Sequence, residues 1–389
     1  MQRRPRNDAE EWSPSAPQIP KASASITSPY LTGDAMNVCE TIKLWSVKVL
    51  RAYWQWRAAN VTKARFTGIV PEDKCQIGIV LSGGEFTPGG AYGQNYGYPI
   101  PESIDYYADK GMKIVRLPFT WERVQPAMFG ELDALEMSRL DGAVDQCIAR
   151  GQTVGIDVHN GGYLNGKLIG GSEVSDEAFA NLWSRLASHY IDRQASTILM
   201  LMSEPYDQCA RQWIRTANKA ISAIRSAGAR QTIVVPGSYY DGGWTWTKSD
   251  NAKIVGGGVF DPLENYMFEL HQYMDGNAAG GTSEIAYSPN IGADRLVDVT
   301  QWARANGHKL FLGEFAAAED PTSMEALDHM VRYVIENSDV WKYATWWGGG
   351  DRWMNYMFRL DPVDYADPKD EPQMAVLQKW MDWQVNEFP

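Results

Sequence analysis

The stretch TILMLMSEPYD, residues 197–207, carries six uncharged residues and then Ser203, Glu204 and Pro205 in succession. Residues 197–202 show no alternation of polar and apolar side chains. A short run of that kind fits a strand buried on both faces, as in a parallel sheet covered by helices. Glu204 then stands where strand gives way to loop, either as the cap of a turn or as a working acid.

Outward from it the same pattern recurs. Short apolar runs fall at 76–81, 113–118, 153–158, 232–236, 266–270, 309–313 and 343–347, each followed by polar sequence. Amphipathic helical stretches are expected at 137–150, 176–190, 211–227, 294–305, 324–336 and 373–385. Eight such strands over roughly 300 residues suit an α/β fold, a (β/α)8 TIM barrel. The alternative, a doubly wound sheet, lacks its usual sign, since no GxGxxG opens a helix after the first strand.

Barrel strands all point the same way, so the residues at their ends share one mouth, and that face is where barrel enzymes do chemistry. Arg116 ends the second run, His159 follows the third, Glu204 the fourth, His271 the sixth and Glu314 the seventh, while Trp347 ends the eighth. Any one of these alone reads as a cap or a core histidine. Together they read as a site. Two carboxylates at one mouth are what glycoside hydrolysis requires: one donates a proton to the leaving oxygen, the other attacks the sugar or activates water.

Composition agrees. A net charge of −12 argues against nucleic acid and against an anionic membrane surface, both of which call for basic protein surface. No run approaches the 18 apolar residues of a membrane span. The 16 Trp and 19 Tyr exceed what a core readily absorbs, because buried indole N–H groups need partners; flat sugar rings are one use for the surplus. Trp121, Trp244, Trp246 and Trp353 lie in or near loops at the mouth and are candidate sugar platforms. The four cysteines, Cys39, Cys75, Cys147 and Cys209, show no metal-ligand spacing and read as buried free thiols, although three disulfide pairings are formally open. No cofactor and no dedicated metal ligand set is expected, and nothing selects an oligomeric state.

Residues 1–66 differ from the rest. The first 36 are polar and rich in Pro and Ser, an arm or extended lead-in. Residues 38–66 mix Trp45, Trp54 and Trp56 with Lys43, Lys48, Arg51 and Arg57, and helical and strand spacing compete there. This N-terminal extension is expected to precede a catalytic domain over 67–389. The start has a basic beginning but no apolar core of a signal peptide.

The strand-end series resembles glycoside hydrolase family 5, in particular its endo-β-1,4-glucanases. It is carried by IVRLPFTW with Arg116, DVHNGG with His159 and Asn160, and LMSEPYD with Glu204. It continues through ELHQYMD with His271 and Tyr273, FLGEFA with Glu314, and WWGGG with Trp347. The likeness runs from about residue 76 to the C-terminus, with LWSRLASHY (182–190) and AIRSAGA (223–229) adding to it.

The resemblance implies a retaining endo-β-glycosidase, secreted or periplasmic, with Glu204 as acid/base, Glu314 as nucleophile and a carboxyl separation of about 5–5.5 Å. It implies a raised pKa for Glu204, Arg116 and Tyr273 bonded to Glu314, and His271 orienting Tyr273 or touching the acid/base. His159 and Asn160 would bind sugar hydroxyls over a floor made by Trp347. Three positions depart from the family. Ser203 replaces the Asn that holds the sugar 2-hydroxyl and would reach it only through water. Gly161 replaces an aromatic, and Tyr206 a histidine. These changes leave several substrates open, from a β-1,4-glucan to a microbial exopolysaccharide. A non-catalytic or weakly active carbohydrate-binding protein on the same barrel is the alternative.

Overall fold

The computed structural model describes residues 74–282 and 284–386, together with Ala64 and Phe66. The barrel strands are β1 (Gln76–Leu81), β2 (Ile114–Phe119), β3 (Thr153–Val158) and β4 (Thr197–Met200). They continue as β5 (Ile233–Pro236), β6 (Tyr266–His271), β7 (Leu310–Phe315) and β8 (Trp341–Gly349). Hydrogen bonding runs β1-β8-β7-β6-β5-β4-β3-β2 and closes, with every pair parallel. Helices α1 (Pro101–Asp109), α2 (Ala134–Ala149), α3 (Asp176–His189), α4 (Ala210–Ser226), α5 (Ile291–Asn306), α6 (Pro321–Glu336) and α7 (Pro372–Asn386) surround it. This is the (β/α)8 barrel expected from the eight apolar runs.

Two local differences have physical causes. Helix α1 was absent from the expected set, yet PESIDYYAD opens with Pro in its first turn and buries Ile104, Tyr106 and Tyr107. Between β5 and β6 there is no α-helix. A 3₁₀ turn at Gly243–Lys248 and a π turn at Asn251–Val255 fill that slot, in a glycine-rich segment without helical periodicity. Trp246 packs there against Trp302 of α5, with ring centroids 5.5 Å apart.

The barrel interior is built in layers, because inward-facing residues on a strand recur every second position. Its floor is apolar: Ile114, Ile198, Met200, Val234, Met267 and Phe311 form one buried cluster, with Tyr343 packed against it. Gly155 is what admits Met200, whose sulfur lies 2.6 Å from where a Cβ at 155 would sit. Two residues further along these strands the interior turns polar, with Arg116, Asp157 and Glu269 all fully buried and in contact. Outward-facing strand residues such as Val154, Ile156 and Leu199 join the helices in the main core.

The arm and the aromatic-basic segment expected over residues 1–66 lie outside the described residues, save for two positions. Ala64 donates its N–H to Asp294 Oδ1 on α5 at 2.6 Å. The Phe66 ring packs on His329 and lies under the Arg332 guanidinium, 4.6 Å away. Cys75, Cys147 and Cys209 are free thiols, and Cys39 is outside the described residues. Among the described residues no helix is long and apolar enough to cross a membrane.

Because Phe311 is wholly buried in the barrel floor, Phe311→Ala is expected to cost about 3–5 kcal/mol in urea unfolding, while Phe311→Leu costs less than about half of that.

Candidate active site

Glu314 lies near the end of β7 with its side chain almost wholly buried. Arg116 Nη1 donates to Glu314 Oε1 at 3.1 Å, and the Tyr273 hydroxyl donates to Oε2 at 2.7 Å. Arg116 also donates through Nε to Asp157 Oδ2 at 2.8 Å and through Nη1 to the Gly313 carbonyl at 3.1 Å. The same Nη1 lies 3.1 Å from Glu269 Oε1. Gly313 makes that last contact possible, since a Cβ there would come within 2.3 Å of Glu269 Oε1.

Glu204 follows β4, and its side chain is 34% exposed against 6% for Glu314. Its Oε1 is 2.8 Å from His271 Nδ1, and His271 Nε2 is 3.0 Å from Glu269 Oε1. One oxygen of Glu204, one of Glu314 and a nitrogen of His271 all lie within 4.8 Å of one another. That spacing suits two carboxyls with no water between them, the retaining geometry. Asp241, Glu269 and His271 form a second set within 4.8 Å. Arg116, 3.1 Å from both Glu269 and Glu314, already puts a fixed cation where a metal ion's charge would sit.

The protonation pattern differs from the expected one. Burial pushes the Glu204 carboxyl up, but the hydrogen bond and charge of His271, with His159 and Arg116 behind it, outweigh burial and hold it below its ordinary value. For Glu314 burial dominates; the charges of His271 and Arg116 pull back only in part, and Glu204 adds to the rise. Burial alone would depress His271, yet the charge of Glu314 and hydrogen bonds to Glu204 and Glu269 raise it well above 6.5. The two shifts together favour a proton on His271 over one on Glu204, across the 2.8 Å hydrogen bond between them.

The remaining expected residues divide. His159 is tied through Nδ1 to Asp157 Oδ2 at 3.1 Å and stacks on Trp347, with centroids 5.4 Å apart and planes 15° off parallel. Trp347 in turn donates its Nε1–H to the Tyr356 hydroxyl at 3.1 Å. These two rings form one wall of the site. Asn160 is engaged within the protein: its Oδ1 accepts the Trp121 N–H at 2.7 Å and its Nδ2 donates to Glu122 at 2.7 Å. It shapes the β3 loop, with one of its two amide N–H groups engaged by Glu122.

Ser203 is fully buried, and its hydroxyl lacks a hydrogen-bond partner among the described residues. Its backbone is stitched to the β3 loop on both sides, by Ser203 N–H to the Val158 carbonyl at 2.8 Å and by Gly161 N–H to the Ser203 carbonyl at 3.1 Å. The short side chain ends beneath the surface, so the water-mediated reach expected of it is not available in this conformation.

Gly161 and Tyr206 are a single exchange. Gly161 has φ of +63°, and a Cβ on it would stand 2.7 Å from the Tyr206 ring. The Tyr206 ring fills the room of a side chain at 161, so the site is reshaped and not simply widened. Of the candidate sugar platforms, Trp121, Trp244 and Trp246 are buried packing residues. Trp353 alone stays at the mouth, edge-on to Trp347 at 5.6 Å and stacked on Tyr356 at 4.1 Å.

Asp157, Asp241 and Glu269 were missed by sequence reasoning. The signal for Asp157 and Glu269 was present: a lone acid inside an otherwise apolar strand, in TVGIDV and YMFELH. A charge so placed must be paired in the interior, and Arg116 was the strand residue able to pair it. Asp241, in a glycine-rich loop, gave no such signal.

Comparison with known proteins fits this geometry. The family model for cellulase, glycosyl hydrolase family 5, matches residues 73–350. Endo-β-1,4-glucanase B of Aspergillus niger is 36% identical over 287 residues, 73% of this chain and 84% of the relative. XacCel5A, solved in complex with cellopentaose, is 39% identical with a TM-score of 0.76, covering 79% of this chain and 99% of that one. Endoglucanase Cel5A of Pseudomonas stutzeri, solved with cellobiose, is 30% identical with a TM-score of 0.73 over 80% and 94% of the two chains.

A proton held on His271 makes a definite pH prediction. Because the His271 pKa is raised in the fold, its contribution to stability is complete below 6.5 and is lost as pH rises through the folded value. The alkaline limb of kcat/KM is therefore expected above 6.5, and His271→Gln is expected to move that limb to lower pH. An unmoved limb in the pH–rate profile would detach His271 from the acid's proton.

Proposed function

From the premise that the chain belongs to the cellulase family of glycosyl hydrolases, family 5, we propose that it is a retaining endo-β-1,4-glucanase in which Glu204 and Glu314 carry the reaction. The single observation that carries this reading is the close approach of the two carboxyls around His271, within 4.8 Å, one buried against Arg116 and the other open to the cleft.

The chemistry runs by double displacement. Glu314, held by Arg116 and by the Tyr273 hydroxyl, attacks the anomeric carbon of the sugar at the cleavage point. The glycosidic C–O bond breaks, and its oxygen takes from Glu204 the proton that His271 Nδ1 has first passed to it along the 2.8 Å hydrogen bond, which leaves Glu204 ionised and His271 neutral. Substrate filling the cleft displaces water from Glu204, raising the cost of its charge and favouring that transfer. Glu204, now ionised, takes a proton from water, whose oxygen attacks the glycosyl ester and frees Glu314. Two inversions give net retention.

The stacked pair His159 and Trp347 offers a flat wall for the sugar ring, with His159 Nε2 free to meet a hydroxyl because Nδ1 is bound to Asp157. The substrate class, a β-1,4-linked glucan, follows the relatives: one is named an endo-β-1,4-glucanase, and XacCel5A was solved with cellopentaose.

The test is release of reducing ends from a panel that sets cellopentaose and soluble β-1,4-glucan beside mixed-linkage glucan and a microbial exopolysaccharide. Turnover is expected on the β-1,4 substrates. Glu204→Gln is expected to lower kcat on them by about 10²–10⁴-fold, and Glu314→Ala to abolish it. Activity surviving Glu314→Ala removes that residue as nucleophile. Labelling by a 2-deoxy-2-fluoro cellobioside is expected on the peptide that contains Glu314; binding without turnover or labelling would make the protein a carbohydrate binder.

A further inference from the structure

We infer that Asp241 is the positioning residue of the acid/base, fixing Glu204 through its backbone N–H and tying it to His271. The inference rests on the assignment of Glu204 as acid/base.

Glu204 has a φ of +49°, in the left-handed region that a glutamate rarely occupies. Something must hold it there. Its N–H donates to Asp241 Oδ2 at 2.9 Å, a bond across 37 residues of sequence, from the β5 loop to the end of β4. Asp241 is itself wholly buried. Its carbonyl accepts the His271 N–H at 2.9 Å, and the next residue, Gly242, forms a bridge to His271. One residue earlier, the Tyr240 N–H points to the Pro205 carbonyl at 3.4 Å. Tyr239, Tyr240 and Asp241 are all left-handed, with φ of +64°, +57° and +52°.

These contacts close a ring. The Glu204 N–H meets the Asp241 side chain, the Asp241 carbonyl meets the His271 N–H, and the His271 ring meets the Glu204 carboxyl at 2.8 Å. A general acid must sit within hydrogen-bond reach of its target, and a side chain whose backbone can relax to the ordinary φ would swing out of that reach. Asp241 removes this freedom and holds acid and proton reservoir at one spacing. Burial, with the charges of Glu269 and Glu204 beside it, keeps the Asp241 carboxyl well above its ordinary pKa. A neutral acid accepting one N–H is closely imitated by a carboxamide.

Two substitutions separate positioning from scaffolding. Asp241→Gly tolerates the left-handed φ and keeps the carbonyl bond to His271, but lacks the side-chain acceptor. Asp241→Asn keeps the acceptor and also tolerates the conformation. The readout is kcat/KM on cellopentaose, whose leaving oxygen needs the proton, against a 2,4-dinitrophenyl cellobioside, whose leaving group does not.

Asp241→Gly is expected to lose about 10²-fold on cellopentaose and less than about 5-fold on the dinitrophenyl substrate, and Asp241→Asn to stay near wild type on both. Equal losses on the two substrates, no loss on cellopentaose, or an Asn variant as poor as the Gly variant each overturn the inference. Glu204→Gln run alongside keeps the failures apart. If it spares cellopentaose, or if the wild type turns over neither substrate, the assignment of Glu204 or the glucanase reading is what fails.

Discussion

One guanidinium organises the upper barrel. Arg116 is fully buried, and around it stand Asp157 from β3, Glu269 from β6, Glu314 from β7 and the Gly313 carbonyl. A lone cation in that position would be prohibitive, and so would three unpaired carboxylates. Breaking one such buried pair typically costs about 3–5 kcal/mol, because the surviving partner keeps its desolvation penalty. The cluster therefore locks the relative height of strands β2, β3, β6 and β7, and the registers of the loops that leave them. The apolar floor beneath supplies the rigid base on which this layer rests.

Three carboxylates around one arginine leave an excess of negative charge, which favours the protonated form of the two histidines at the mouth. Burial would hold both neutral. For His159 the bond and charge of Asp157 outweigh it, and for His271 the charge of Glu314 and the bonds to Glu204 and Glu269 do. The carboxyl nearest the protonated His271 is the one held low, and the deeper one, Glu314, is pushed up. In the roles proposed for Glu204 and Glu314, acid and nucleophile differ by where one proton goes, and a substrate that excludes water would shift it. The burial that raises Glu314 would, in the role proposed for it, also make it a stronger nucleophile once ionised, since it has little hydration to shed.

The barrel was legible because its strands are apolar on both faces, and that pattern survives any tertiary context. The strand-end residues were legible as a set because parallel strands in a closed barrel bring their C-terminal ends together. What was not legible depended on contacts between distant loops. The unusual number of tryptophans suggested sugar binding, yet Trp121, Trp183, Trp213, Trp246, Trp341 and Trp346 are among the largest fully buried side chains. Most of these satisfy their N–H locally, as Trp183 does on the Leu201 carbonyl, Trp213 on the Pro236 carbonyl and Trp346 on the Phe358 carbonyl. They serve as struts between helices and strands. The contacts of Asn160 were hidden for a related reason: its amide bonds Trp121 and Glu122, whose proximity no local pattern announces.

The loops at the mouth follow a rule of their own. Of the eleven described residues other than glycine with positive φ, five fall within seven residues of the ends of β4 and β5: Glu204, Asp207, Tyr239, Tyr240 and Asp241. Each such conformation costs about 1–3 kcal/mol and persists only where its surroundings over-determine it. Here they do, through the Glu204–Asp241 bond, the Asp241–His271 bond and the face-to-face stacking of Tyr206 on Tyr240 at 5.0 Å. The turns fold these two loops back over the barrel, so that residues next to one another in the chain point to different places. Ser203 goes into the core, Glu204 into the cleft and Tyr206 against the β5 loop. A relaxed strand end would send neighbouring side chains to alternate faces and could not divide its residues in this way. The motif SEPY thus depends less on its four side chains than on a backbone bent by a partner from another loop.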